Sequence, residues 1–411
     1  MENESNLSIT LITMDRAAAC TVLTRSDGKE ARLPLDPSPF EDTSVLARLD
    51  FTPAYGALLA TTLSGDQVLF EMPLEGAGDQ LARRLVVYLD QNQWSLLSKV
   101  DRGAEKNREA DRVTARKLKG WVDQRRIVLP ASAGHYFETG KQFSTDKRYD
   151  LGLTVLQYSR GWQMRDPLQV RRNELHDAFC HRMDQPGRVR SAPVFTLDPD
   201  ALYAPTRWAG AEMPPTPTPQ NRLAFQTKAL LTASVSIDAM LDTQQAEDGP
   251  DTGWMAASQR FSDWLDELDQ DSQQKRRAID IHIVKDLQQE LAEEAAAADV
   301  PKELFRQWGF KGWVRAIGGA PAVGLFREML QSRHLNKGTT WRRNDLTDMV
   351  YLSCAAGYAD FVVCEKHMRD PLQHGLKRTG RATGVYRHLA DAVTAIEEAL
   401  QTTPVPGKST A

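Results

Sequence analysis

Several acidic side chains stand where local patterns in the chain begin or end. Asp90 closes the apolar run 85–89, and Glu365 closes the β-branched run 361–364. Asp345 and Asp348 open a stretch that turns apolar from Met349 to Ala356. Ser132, His135 and Glu138 follow one another at three-residue spacing, which places them on roughly one face of a helix. Acids at strand ends and helix starts gather at the carboxyl edge of an open parallel sheet, where ligands collect. Carboxylates drawn together repel one another, and each becomes harder to ionise until a cation arrives. Mg²⁺ and Mn²⁺ favour such oxygen donors and keep several waters. Beside such an ion, water attacks a phosphodiester while the ion offsets charge developing on the leaving oxygen. The chemistry expected of these acids is metal-dependent phosphodiester hydrolysis without a covalent enzyme intermediate. Asp360 is a rival to Glu365, but it precedes the strand. Four strand residues at ~3.3 Å each put Asp360 about 13 Å away, at the opposite end of the sheet.

The elements that must position these acids follow from periodicity. Residues 1–80 hold short β-prone runs (SITLITM, ACTVLTR, YGALLATTL, DQVLFEMPL) punctuated by Ser26-Asp27-Gly28 and Ser64-Gly65-Asp66. They predict a small antiparallel β-rich domain. From residue 83 the pattern changes to buried strands at 85–89 and 127–129, with charged helices between them and a further helix over 149–159. That order argues for a parallel α/β sheet. Residues 186–220 are Pro-rich and aperiodic, and 222–335 is helical, with Ala-rich charged segments such as KRRAIDIHIVKDLQQELAEEAAAA. The predicted organisation is an N-terminal β domain over 1–80 and an α/β domain split between 83–180 and 336–400. Between its halves lies a Pro-rich connection and helical insertion over 181–335, and 401–411 forms a disordered tail.

Composition narrows the function classes. The 411 residues carry a net charge of −4 with 41% hydrophobic and 26% charged residues, the balance of a water-soluble chain able to bury a sizeable core. No global basic field advertises nucleic acid, although a local basic face is compatible with this balance. Cys20, Cys180, Cys354 and Cys364 form no CxxC pair, which argues against a zinc site or disulfide framework and for a reducing compartment. The opening MENESNLS is not a signal peptide, and no apolar run reaches membrane-spanning length. A cytoplasmic protein is expected. No Gly-rich phosphate loop is present, which counts against a P-loop triphosphatase.

The order and context of the acids resemble the PIN (PilT N-terminus) nuclease domain. VVYLDQN is similar to the family's opening strand and its terminal Asp, here Asp90. Ser132 to Glu138 matches its Ser-to-Glu spacing, and NDLTDMVYLSCAAGYADFVVCEK is similar to its helix–strand finish with Asp348 as third acid. Cys364 stands where the family usually has Thr, and Glu365 replaces the fourth Asp one position early. The resemblance covers about 83–180 and 336–400. It implies a PIN-like, three-layer parallel-sheet domain acting as a Mg²⁺- or Mn²⁺-dependent endoribonuclease on single-stranded RNA. Asp90, Glu138, Asp348 and Glu365 would hold the metal, with Asp345 as an outer ligand, or as the inner one if the helix register moves by a turn. Arg342, Arg343 and Lys366 would meet phosphates, helped by His367, by Lys377, Arg378 and Arg381, and by Arg171 with Arg172. Ser132 and Asn344 would supply hydrogen bonds beside ion and substrate, and Trp341 a stacking platform. His135 is more readily a packed histidine than a base. The alternatives are a catalytically inactive PIN-like scaffold binding RNA or a protein partner, and a phosphohydrolase of small phosphoesters. The N-terminal domain and the helical insertion offer surface for a regulatory protein or a second copy of the chain.

Overall fold

The computed structural model describes residues 7–36, 38–41, 43–73, 80–103, 108–190, 192–202, 218–242, 244–247 and 252–402. One compact unit is built from Met1–Arg84, Trp94–Met164 and Phe195–Glu247, the other from Leu85–Gln93, Arg165–Val194 and Asp248–Ala411.

In the first unit, β1 (Ile9–Asp15), β2 (Cys20–Arg25), β3 (Glu30–Pro34), β4 (Leu46–Thr52), β5 (Ala57–Thr62) and β6 (Gln67–Glu71) pair antiparallel in the order β3-β2-β1-β4-β5-β6. Leu58 and Ala60 of β5 and Val68 and Phe70 of β6 alternate onto the buried face. On β4 the buried positions are Leu46, Leu49 and Phe51, an odd spacing accommodated by a register shift between Leu46 and Arg48. Both expected turns form, with Gly28 at φ 79° and Gly65 at φ 88°, a region closed to most side chains. Strand β3 is exposed along its whole length and ends on Pro34, as an edge strand does.

Strand β7 (Leu85–Leu89) comes next in the chain and belongs to the second unit. After it run α1 (Gln91–Asp101), α2 (Glu109–Asp123), β8 (Ile127–Val128), α3 (Ala133–Gly140), α4 (Thr145–Ser159) and β9 (Gln163–Met164). Helix α5 (Pro167–Arg182) is in the second unit, while β10 (Phe195–Thr196) and α6 (Pro219–Leu241) return to the first. Polar ties dock the helices on the N-terminal sheet. Tyr149 on α4 donates to Asp66 at 2.8 Å, and Asp238 on α6 accepts from the backbone N–H groups of Ser44 and Val45 at 2.6 and 2.7 Å.

The rest of the second unit comprises α7 (Trp254–Glu267), α8 (Ser272–Asp286), α9 (Gln288–Ala297), α10 (Lys302–Gln307), α11 (Gly309–Gly319) and α12 (Pro321–His334), then α13 (Asp345–Tyr358), β11 (Phe361–Val363), α14 (Lys366–Thr379), β12 (Gly384–Tyr386) and α15 (Leu389–Thr402). Strands β12, β11 and β7 lie parallel in that order. Val87, Leu89, Val362 and Val363 are fully buried, which is why both runs are almost continuously apolar. Two carboxylates, Glu174 buried and Asp360 at the surface, hold this frame. Glu174 on α5 accepts from the N–H groups of Ala322 and Val323 at 2.7 and 2.9 Å and from the Tyr358 hydroxyl at 2.7 Å, capping α12. Asp360 accepts from the Val86 N–H at 2.7 Å at the amino end of the sheet. The structure thus gives Asp360 the structural part expected of it. Gly357 lies inside α13. A Cβ there would stand 3.0 Å from the Pro321 carbonyl carbon, so the glycine allows α13 to press on the start of α12.

The compact units cut the chain elsewhere than at the expected divisions. Residues 94–164 fold with the N-terminal sheet, and much of 181–335 packs with the parallel strands, α12 lying against both α13 and α14. The expected helices over 222–335 are present as α6 to α12. Most of MPPTPTPQ and of the expected tail fall outside the described residues. Among the described residues, no helix is long and apolar enough to cross a membrane.

Candidate functional site

The register of the parallel strands places the first acids. Phe361, Val362 and Val363 pair with Val87, Tyr88 and Leu89, and the Asp90 N–H continues the ladder to the Val363 carbonyl at 2.9 Å. Cys364 therefore comes level with Asp90, and Glu365 lies one residue further at the same carboxyl edge. Glu365 is also the N-cap residue of α14. Its two carboxylate oxygens are gripped separately, one by the Asn92 side-chain amide and the other by His367 Nδ1 at 3.2 Å.

Asp90 accepts from the N–H of Gln91 at 2.9 Å and from the N–H of Glu365. Burial nevertheless raises its pKa above the usual carboxylate range, and the Glu365 charge raises it further. Asp348 reaches the same corner by chain geometry. From Tyr358 back to Asp348, α13 rises ~15 Å at ~1.5 Å per residue. The strand from Asp360 to Cys364 covers about 13 Å in the opposite sense. The Cys364 thiol is pushed well up, first by burial and then by Asp90, with Asp348 and Glu365 adding to the effect. Burial thus holds that sulfur as a neutral thiol rather than a nucleophile.

Asp345 has different work. It is buried, paired with the Arg333 guanidinium, and its Oδ2 accepts the Arg342 N–H at 2.7 Å. Arg333 lies 5.1 Å from the Trp341 ring centroid. Trp341 is itself buried, donating through Nε1 to Ser262 Oγ at 2.8 Å, which bonds His334 Nδ1 at 2.8 Å. Burial pushes His334 down to about 3, so it stays neutral. This knot anchors the segment leading into α13. The expected stacking platform at Trp341 is corrected accordingly, because the ring is enclosed by Trp254 and His334.

Ser132 and Glu138 stand in the first unit, at the start and along the length of α3. His135 Nδ1 accepts the Ser132 N–H at 3.1 Å, and its ring packs edge-on against Trp94, the packed role expected of it. Among the cations, Arg342, Arg343 and Lys366 are exposed, as is Asn344. Arg171 is paired with Glu290, and Arg172 with Glu293 at 2.6 Å and Glu294 at 2.7 Å. That pair ties α5 to α9 and is removed from the phosphate-contact set.

Asn92, His367 and Arg333 are the residues whose part sequence reasoning missed. Asn92 had a signal, its place two residues beyond a strand-ending acid. Arg333 had none, because its partner lies twelve residues along the chain in another helix. Among the described residues, no three His, Cys, Asp or Glu side chains are drawn close enough to enclose a metal by themselves. The donor chemistry at Asp90 and Glu365 still suits a hard cation that takes one or two carboxylates and keeps its waters. Comparison of the chain with protein-family models, with curated proteins and with solved structures gives no match.

Proposed function

We propose that the chain is a Mg²⁺- or Mn²⁺-dependent endonuclease of single-stranded RNA, built on a PIN-like arrangement in the parallel-sheet unit. The observation that carries this reading is the register of the parallel strands, which sets Asp90 and Glu365 at one carboxyl edge, where burial first and then the Glu365 charge make Asp90 hard to ionise. Such a corner is stabilised by a cation. Asp90 and Glu365 would hold the ion, with Asp348 on the neighbouring helix α13 facing its waters. When bound, the ion supplies an acidified water and charge neutralisation at the scissile phosphate. Asn92 and His367 fix the Glu365 carboxylate. Exposed Arg342, Arg343 and Lys366 would steer and seat phosphates.

A second reading, a non-catalytic scaffold for RNA or a protein partner, draws support from the lack of a three-donor cluster among the described residues. One experiment divides them. Labelled single-stranded RNA is incubated with Mn²⁺ and wild-type protein, Asp90→Asn or Asp348→Asn. The nuclease reading expects cleavage that falls roughly 100-fold in each variant. RNA retained without cleavage supports the scaffold, and cleavage undiminished in both variants removes the site.

A further inference from the structure

Helices α8, α12 and α14 border a cavity of about 610 Å³, within the usual range for small-molecule sites. Its lining includes Arg276 from α8, Glu328 and Ser332 from α12, and His374, Lys377 and Arg378 from α14. The three α14 residues lie at i, i+3 and i+4 and so present one face. Gly375 among them lets that face sit close to α12, since a Cβ there would stand 3.2 Å from Glu328 Cβ.

The charges do not balance. Glu328 is shared by three guanidiniums, Arg327 at 2.8 Å, Arg378 at 3.0 Å and Arg276 at 3.9 Å. Arg327 is further held by both oxygens of Asp280, at 2.7 and 2.9 Å. Arg276 is positioned by a neutral group, the Gln331 side-chain carbonyl, and Gln331 is in turn fixed by its amide donating to Asp280 at 2.6 Å. Among the described residues, Arg276, Arg327, Lys377 and Arg378 thus face only Asp280 and Glu328 at this seam. Burial and the nearby Arg378 charge both lower the pKa of Arg276, the sign of crowded positive charge. Guanidiniums held in place before a ligand arrives offer paired donors matched to phosphate oxygens, and a lysine adds a mobile point charge. Leu335 is the one large apolar side chain of the lining, so recognition here runs through anionic groups rather than a ring.

We propose that this cavity binds a phosphorylated small molecule bearing at least two negative charges, such as a diphosphate. The site is separate from the acids at the sheet corner. Lys377 lies eleven residues beyond Lys366 on α14, about 16 Å along the axis at ~1.5 Å per residue. The inference therefore does not rest on the nuclease reading.

The test is calorimetric titration of the full-length protein with pyrophosphate and with ADP, in EDTA so that no metal links ligand to the acids. Binding is expected for wild type and should weaken with added salt. Arg276→Gln should weaken it about tenfold or more, the loss of one charge-assisted hydrogen bond, and Lys377→Gln by several-fold. Lys377 is exposed, so its variant separates ligand recognition from folding. Arg276→Lys should recover part of the loss, because charge returns without the planar fork. Absence of binding by both probes overturns the proposal, as does binding unchanged in both glutamine variants. Capture of a 5′-phosphorylated oligonucleotide but neither probe likewise overturns it, in favour of a nucleic-acid end.

Discussion

Replacing Asp345 by asparagine separates the anchor of the site from its chemistry. The Asp345 side chain is 2% exposed and its partner Arg333 17%. The substitution removes the charge facing Arg333 and one of the oxygens available to the Arg342 N–H. Breaking a buried ion pair from one side typically costs about 3–5 kcal/mol. Here Arg333 keeps some water and a 3.2 Å bond to the Thr340 carbonyl, and asparagine still accepts one hydrogen bond. The expected loss is therefore about 2–3 kcal/mol. For a folding unit of roughly 150–250 residues, where each kcal/mol shifts Tm by about 2–4 °C, that is a fall of roughly 5–10 °C. Asp348→Asn, at a half-buried position in the same first turn of α13, should move stability by less than about 1 kcal/mol while removing Mn²⁺-dependent cleavage. The assay is differential scanning calorimetry in EDTA, following the second unit's transition, with cleavage measured on the same preparations below that transition. If Asp345→Asn melts with wild type yet loses cleavage, the anchoring role is wrong and Asp345 is a ligand.

Two further outcomes follow from buried carboxylates. Asp90 has a raised pKa in the folded chain, first from burial and then from Glu365. The stability this acid contributes is fully present below the ordinary carboxyl pKa and is lost as pH rises through the folded value. Asp90→Asn should therefore melt above wild type at pH 7 in EDTA, with the gap closing toward about pH 4; a gap that is absent at pH 7, or widens in acid, contradicts the assignment. Glu174→Ala strands two backbone donors of α12 and the Tyr358 hydroxyl, at about 1–3 kcal/mol for each unmet group; because the same change removes a charge that burial penalises, urea denaturation should show a loss toward the lower end of that sum, about 3–5 kcal/mol. Glu174→Gln keeps an acceptor and sheds a penalised charge, so it should lose less than half of that.

Strands and helices were legible wherever one periodicity held along a whole element. The runs 85–89 and 361–364 are apolar because the parallel strands are buried on both faces, and they emerge as β7 and β11. Strand β3 escaped notice because EARLP lies exposed at the sheet edge and carries no burial pattern. Strand β4 escaped because its bulge breaks the alternation that marks a strand. The grouping of elements into units was less readable. Hydrophobic faces state that a helix packs but not against what, and nothing local to α4 announces that Tyr149 will bond Asp66 eighty-three residues upstream.

The same limit explains which acids could be told apart. Asp360 and Glu365 were separable from the sequence because strand rise alone puts them at opposite ends of β11, and Asp360 indeed caps Val86 at the amino end. Asp345 and Asp348 were not separable, since both lie in the first turn of α13 and differ by less than one turn. What sets Asp345 apart is a cation on another helix, Arg333, which takes it into the frame. A carboxylate neutralised by a fixed guanidinium has little left to offer a metal, whereas Asp90, made hard to ionise by burial and then by the Glu365 charge, gains from any cation that arrives. On that physical difference Asp345 leaves the candidate ligands, and Asp90 and Glu365 remain together at the carboxyl edge of the parallel strands.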